Sequence, residues 1–177
     1  MANTNKTKTT VITQTGVMLA LLIILQAVTK PAGTIVTGSC VNAVLAMTAL
    51  CVGLAGGLVV AAVSPFFAFL LGIGPAFRPL TPMIAIGNMV FVTVIWLLYD
   101  RAGRGAVNKI LTWAAAALAK FAALYLLIVK GVCTLMPLPE PQVQTFSTMF
   151  SFPQLITAAI GGAVAIYIAT LMKRAMR

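Results

Sequence analysis

The sequence predicts an all-α membrane protein, a bundle of six transmembrane helices with both termini on the cytoplasmic side. Three observations carry that prediction. Of 177 residues, 61% are hydrophobic and only 8% charged, too apolar for an ordinary soluble domain. Apolar runs of membrane-spanning length recur along the whole chain. The basic residues, twelve against two acids, gather near the ends of those runs, so the net charge of +10 describes membrane orientation rather than nucleic-acid binding.

The polar, basic start MANTNKTKTT precedes an apolar run from Val11 to Val28. No convincing small-x-small cleavage site follows it, so it reads as a retained first helix over about 10–29. No charged residue stands between Lys30 and Arg78. That stretch is about twice the ~20 residues one crossing needs, so the chain must fold back within it. GLAGG, at Gly53 to Gly57, is its weakest helical point. The split gives a short second helix over 42–52 and a third over 54–71, in which Pro65 is expected to produce a kink. The prolines of FRPLTP suit the first turn of a fourth helix, over 79–99. DRAGRGAVNK is then a polar loop, and LTWAAAALAKFAALYLLIVK supplies most of a fifth helix over 108–129. GVCTLMPLPEPQVQTFSTMFSFP reads as a long proline-rich connection, and the sixth helix runs over 154–172 into KRAMR. All of 1–177 falls in a single integral membrane domain.

With the amino terminus inside, six crossings return the carboxyl terminus to the same side. The inner side then holds Lys6, Lys8, Arg101, Arg104, Lys109, Lys173, Arg174 and Arg177, and the outer side Lys30, Arg78 and Lys130. That bias of eight to three follows the positive-inside rule.

One cation remains unassigned by that count. Lys120 stands at the centre of the fifth helix, where a lysine costs ~2.5–3.5 kcal/mol to insert. It lies ten positions before Lys130, or ~15 Å along a helix, and Asn88 lies ten positions after Arg78 on the neighbouring span. The two polar groups therefore share one layer. Either Lys120 snorkels or bonds a backbone carbonyl, or it points into a cavity open to the outside. In a cavity its ammonium favours a carboxylate or other anion. Asn88, both donor and acceptor, either orients that ligand or makes an interhelical hydrogen bond. Helical spacing puts Thr81, Ile84, Phe91 and Ile95 on the face of Asn88, and Trp113, Ala116, Leu124 and Leu127 on that of Lys120. Such stripes usually pack, but Phe91 is also a candidate wall for an apolar pocket with few polar anchors. Asn42, at the expected start of the second helix after GTIVTGSC, is either a helix cap or part of a pocket roof. Arg78 either anchors at the outer interface or meets an anion. Small residues four apart, Gly16 and Ala20 among them, allow close helix approach.

The chemistry of an enzyme is poorly supplied. Cys40, Cys51 and Cys133 show no CxxC spacing, and there is no histidine, so no metal site is expected. No phosphate-binding loop of the GxxxxGK[ST] type is present. The only acids, Asp100 and Glu140, fall in expected loops.

The run TGSCVNAVLAMTALCVGLAGGLVVAAVSPFFAFLLGIGP followed by LTPMIAIGNMVFV resembles the helix 2 to helix 4 region of S components, the substrate-capturing membrane subunits of energy-coupling factor (ECF) vitamin transporters. The resemblance extends over nearly the whole chain. Gly16 and Ala20 are similar to the AxxxA motif by which such subunits dock their coupling subunit, with glycine in place of the first alanine. The resemblance implies capture of a vitamin or related micronutrient from outside a prokaryotic plasma membrane. It also implies a lid formed by residues 30–41 and delivery through a transmembrane coupling subunit and two ATPases. ATP is then used by the partners only, and this chain carries no cofactor. Lys120, Asn88, Asn42, Phe91 and Arg78 are the substrate-binding candidates, and Gly16 and Ala20 the partner-binding ones. The competing reading is a stand-alone channel or secondary carrier for small anions, with Lys120 as its selectivity charge.

Overall fold

The computed structural model describes residues 7–101 and 105–175. Lys6, Arg104 and Arg177, which enter the orientation argument, lie outside the described residues. Among those described, the chain is all-helical and contains no strand. The elements are α1 (Lys8–Thr29), a 3₁₀ turn (Lys30–Ala32), α2 (Thr34–Cys51), α3 (Leu54–Leu70), α4 (Leu80–Arg101), α5 (Ala106–Leu124), a π-helical continuation (Tyr125–Val132), α6 (Cys133–Leu135), α7 (Glu140–Met149) and α8 (Phe152–Ala175). Five of the helical stretches are long and apolar enough to cross a membrane, and α3 is the shorter, sixth apolar helix. Large side chains such as Ile12, Val28, Leu70, Leu118 and Tyr167 lie on the outside, which in a bilayer is the face toward lipid.

The helices close into a ring in the order α1, α3, α4, α5, α8, α2, and α2 also touches α3 and α4 across it. The tightest seam joins α2 to α8. It depends on Gly161, where a Cβ would sit 2.5 Å from the Ser39 carbonyl oxygen and 2.6 Å from Asn42 Cβ. Trp113 on α5 fastens the other side of α8 by donating from Nε1 to the Ala159 carbonyl at 2.6 Å. The core along these seams is built from Leu45, Val60, Phe91, Val92, Ile95 and Ala116, each fully buried.

Three element boundaries differ from the sequence reading, each for a physical reason. The second helix begins at Thr34 rather than near 42, so most of the expected lid loop 30–41 is a 3₁₀ turn and two helical turns. Lipid offers no water to backbone groups, so helix continues wherever the chain crosses it. One hydroxyl that made GTIVTGSC look like a loop folds back instead: Thr37 Oγ1 donates to the Gly33 carbonyl at 3.0 Å and to that of Thr29 at 2.9 Å. The fifth span does not stop near 129 but continues in π-helical geometry through Val132 and α6 to Leu135. The proline-rich connection contains α7, with Pro139 at its N-cap and Glu140 in its first turn, where a fixed φ and a negative charge suit a helix start. The turn between α2 and α3 falls where the glycines put it. Gly53 adopts φ +113°, a conformation side chains disfavour, and its N–H bonds the Thr48 carbonyl at 3.1 Å. Helix α3 continues through Pro65.

Candidate functional site

Three helices bring one polar side chain each to a common point inside the ring. Lys120 on α5 is 3% exposed, Asn88 on α4 2% and Asn42 on α2 1%. The Lys120 ammonium donates to Asn42 Oδ1 and to Asn88 Oδ1, both at 2.6 Å. Its Nζ lies 5.6 Å from the centroid of the Phe91 ring, a cation–π distance. Asn42 is held in turn, since its Nδ2 donates to Thr157 Oγ1 on α8 at 3.3 Å. That bond aims the amide oxygen at the cation. Lys120 neither snorkels nor caps a backbone carbonyl.

Above this layer lies a cavity of about 160 Å³. Lys120, Asn42, Asn88 and Thr157 line its deep end. Its walls come from α1, α2 and α3 through Gln26, Thr37, Val41, Ser64 and Pro65, and from α4 through Leu80, Thr81 and Ile84. The mouth is framed on one side by Ile73, Pro75 and Phe77 of the α3–α4 connection, and on the other by Met149, Phe150 and Pro153 around the α7–α8 junction. Phe77 packs on Phe146 of α7 with ring centroids 5.5 Å apart. Lys30 ties the α1–α2 turn to the α3–α4 connection by donating to the Leu71 carbonyl at 2.7 Å. Among the described residues no acidic side chain lines the cavity.

Beyond the polar layer, farther from the mouth, each helix continues into fully packed residues. Leu45 and Ala46 follow Asn42, Phe91, Val92 and Ile95 follow Asn88, and Ala116 and Ala117 precede Lys120, all with 2% exposure or less. The cavity therefore has a floor. A second groove, of about 440 Å³, runs between α5 and α8 past Lys109, Trp113 and Tyr167. It is larger but open and almost wholly apolar, with none of the buried polar layer that marks the first.

The sequence-predicted residues thus divide. Lys120, Asn88 and Asn42 meet at one point. Asn42 sits two turns inside α2 rather than at its start, so it caps no helix. Phe91 is fully buried against the ammonium and is not one of the cavity-lining residues. Arg78 is exposed and outside the cavity lining. Gly16 and Ala20 lie on an exposed face of α1, and a Cβ at Gly16 would meet nothing within 4 Å. No disulfide joins Cys40, Cys51 or Cys133 among the described residues. Sequence reasoning missed Gln26, Ser64 and Thr157. Gln26 had a legible signal, an amide within an otherwise apolar stretch of α1, while Ser64 and Thr157 resemble the many hydroxyls that merely bond their own helix.

Comparison with known protein families, with curated proteins and with solved structures finds no match for this chain.

Proposed function

We propose that the chain is a substrate-capturing membrane subunit of the S-component kind. It takes a small vitamin-like molecule from outside the cell into the cavity above Lys120 and passes it on through a transmembrane coupling subunit driven by two ATPases. In this reading both termini are cytoplasmic and the cavity mouth faces outward, at the ends of the helices that carry Lys30, Arg78 and Lys130. The observation that carries it is the buried ammonium, tied to two asparagines from two other helices, at the closed end of a cavity. Holding a cation there is costly, and a ligand that interacts with it offsets the cost.

The floor favours capture over a stand-alone anion channel, because a channel needs a continuous path, and the residues beyond the polar layer are packed. The exposed face with Gly16 and Ala20 is the proposed docking face for the coupling subunit. The test is purification of the tagged full-length chain from its native membrane. A membrane coupling protein and ATPases should travel with it. Passage of small anions by the chain alone in liposomes would overturn the reading.

A further inference from the structure

The unpaired polar atoms inside the cavity define the ligand more narrowly, given the capture reading on which this inference rests. A lysine ammonium has three N–H donors. Two are taken by Asn42 and Asn88, and the third has no protein acceptor among the described residues. The cavity holds this charge with no acid among the described residues of its walls, so its electrostatic complement is an anion. A second pair of groups lines the same space from α1 and α3. Gln26 is 2% and Ser64 1% exposed, and Gln26 Oε1 and Ser64 Oγ are buried with no hydrogen-bond partner. An amide oxygen only accepts, so it is complemented by an N–H or O–H of the ligand. With no carboxylate nearby to pair an ammonium, that donor is a neutral group. Between the polar points the walls are Pro65, Phe69, Phe77, Ile84 and Phe150, surfaces that suit a flat apolar body. The volume of about 160 Å³ is close to the ~150 Å³ apolar cavity that holds one benzene ring.

We infer that the ligand is a single-ring monocarboxylate carrying a neutral N–H or O–H donor, its carboxylate on the free donor of Lys120 and its own donor on Gln26 Oε1. The test uses the purified full-length chain in detergent and measures affinity and melting temperature with a matched panel: benzoate, the hydroxy- and aminobenzoates, their carboxamides, and hydroxybenzylamines. A donor-bearing carboxylate should stabilise the protein and bind at least about tenfold more tightly than its carboxamide, the loss of one charge-assisted hydrogen bond. Gln26→Leu should weaken that compound by about tenfold yet leave benzoate unchanged, which also serves as the folding control. Lys120→Met should erase the preference for carboxylate over carboxamide. Equal or tighter binding of the carboxamides or amines overturns the assignment of ligand class while leaving capture intact. Absence of stabilisation by every panel member overturns the assignment as well, and capture is then judged by co-purification alone. If Gln26→Leu weakens benzoate as much as the donor-bearing compounds, the role given to Gln26 is wrong.

Discussion

Replacing Asn88 by leucine should be costly while Lys120 is present and nearly free of cost once Lys120 has become methionine. The ammonium sits 3% exposed with two protein acceptors at 2.6 Å, and a hydrogen bond to a charged group contributes ~1.5–3 kcal/mol. Asn88→Leu removes one acceptor and leaves a buried cation half satisfied, so a loss of ~2–4 kcal/mol is expected. For a chain of this length that lowers the melting temperature by about 5–15 °C. Lys120→Met keeps a stem of similar length and removes the buried charge, but it orphans two amide oxygens at ~1–3 kcal/mol each. The relief of burying a charge opposes that loss, so the net effect is smaller. In the methionine background, Asn88→Leu deletes an orphaned acceptor and is neutral or stabilising. The coupling energy from this double-mutant cycle, read by reversible thermal or denaturant unfolding in detergent, should be ~2 kcal/mol or more. Additivity within ~0.5 kcal/mol would refute the claim that these side chains act as one unit.

Further expectations concern the seams, the mouth and the charge. Gly161→Ala places a Cβ 2.5–2.7 Å from atoms of Ser39, Asn42 and Ala43 and should destabilise by ~1–3 kcal/mol, whereas Gly16→Ala, with nothing within 4 Å, should leave unfolding unchanged. Phe146→Ala removes a ring 4% exposed from the contact between α7 and Phe77; it should cost ~3–5 kcal/mol and speed ligand release in a dissociation assay. Asn42→Asp sets a carboxylate beside the ammonium, so anion affinity should fall by about a hundredfold or more while apo stability holds or rises; undiminished anion binding would show that Lys120 is not the anchor.

The part of the site that was legible in the sequence is the part that is expensive. Lys120 and Asn88 stood out because a charge and an amide in mid-span must be satisfied somewhere, and counting from Lys130 and Arg78 placed them at one depth without any structure. Asn42 was equally visible as a residue but was set at a helix end, because glycine, threonine and serine before it resemble a loop in water. In lipid the stretch is helical instead, and the Thr37 hydroxyl bonds the Gly33 and Thr29 carbonyls. The floor and the π-helical continuation of α5 were not legible, because nearly all helix faces around them are apolar. Periodicity carries little information there. Helix α7 was masked by the prolines of the connection, although Pro139 and Glu140 mark its start. Phe91 lies on the face its spacing predicted, yet only packing decides that the ring backs the ammonium instead of lining the cavity.

The polar layer also has a structural consequence that follows from the solvent. Within a bilayer, apolar contact between helices is not driven by exclusion of water, and close packing and hydrogen bonds set their arrangement. Lys120 reaches α2 and α4 at once, and Asn42 extends the connection through Thr157 to α8, so one cation fixes the relative register of four helices. The same four helices contribute residues to the cavity. A ligand that engages the ammonium therefore acts on the joint that holds those helices together. Under the proposed capture reading, binding at this point changes how firmly the ring is held, and this would give a coupling partner a physical means of distinguishing a loaded state from an empty one.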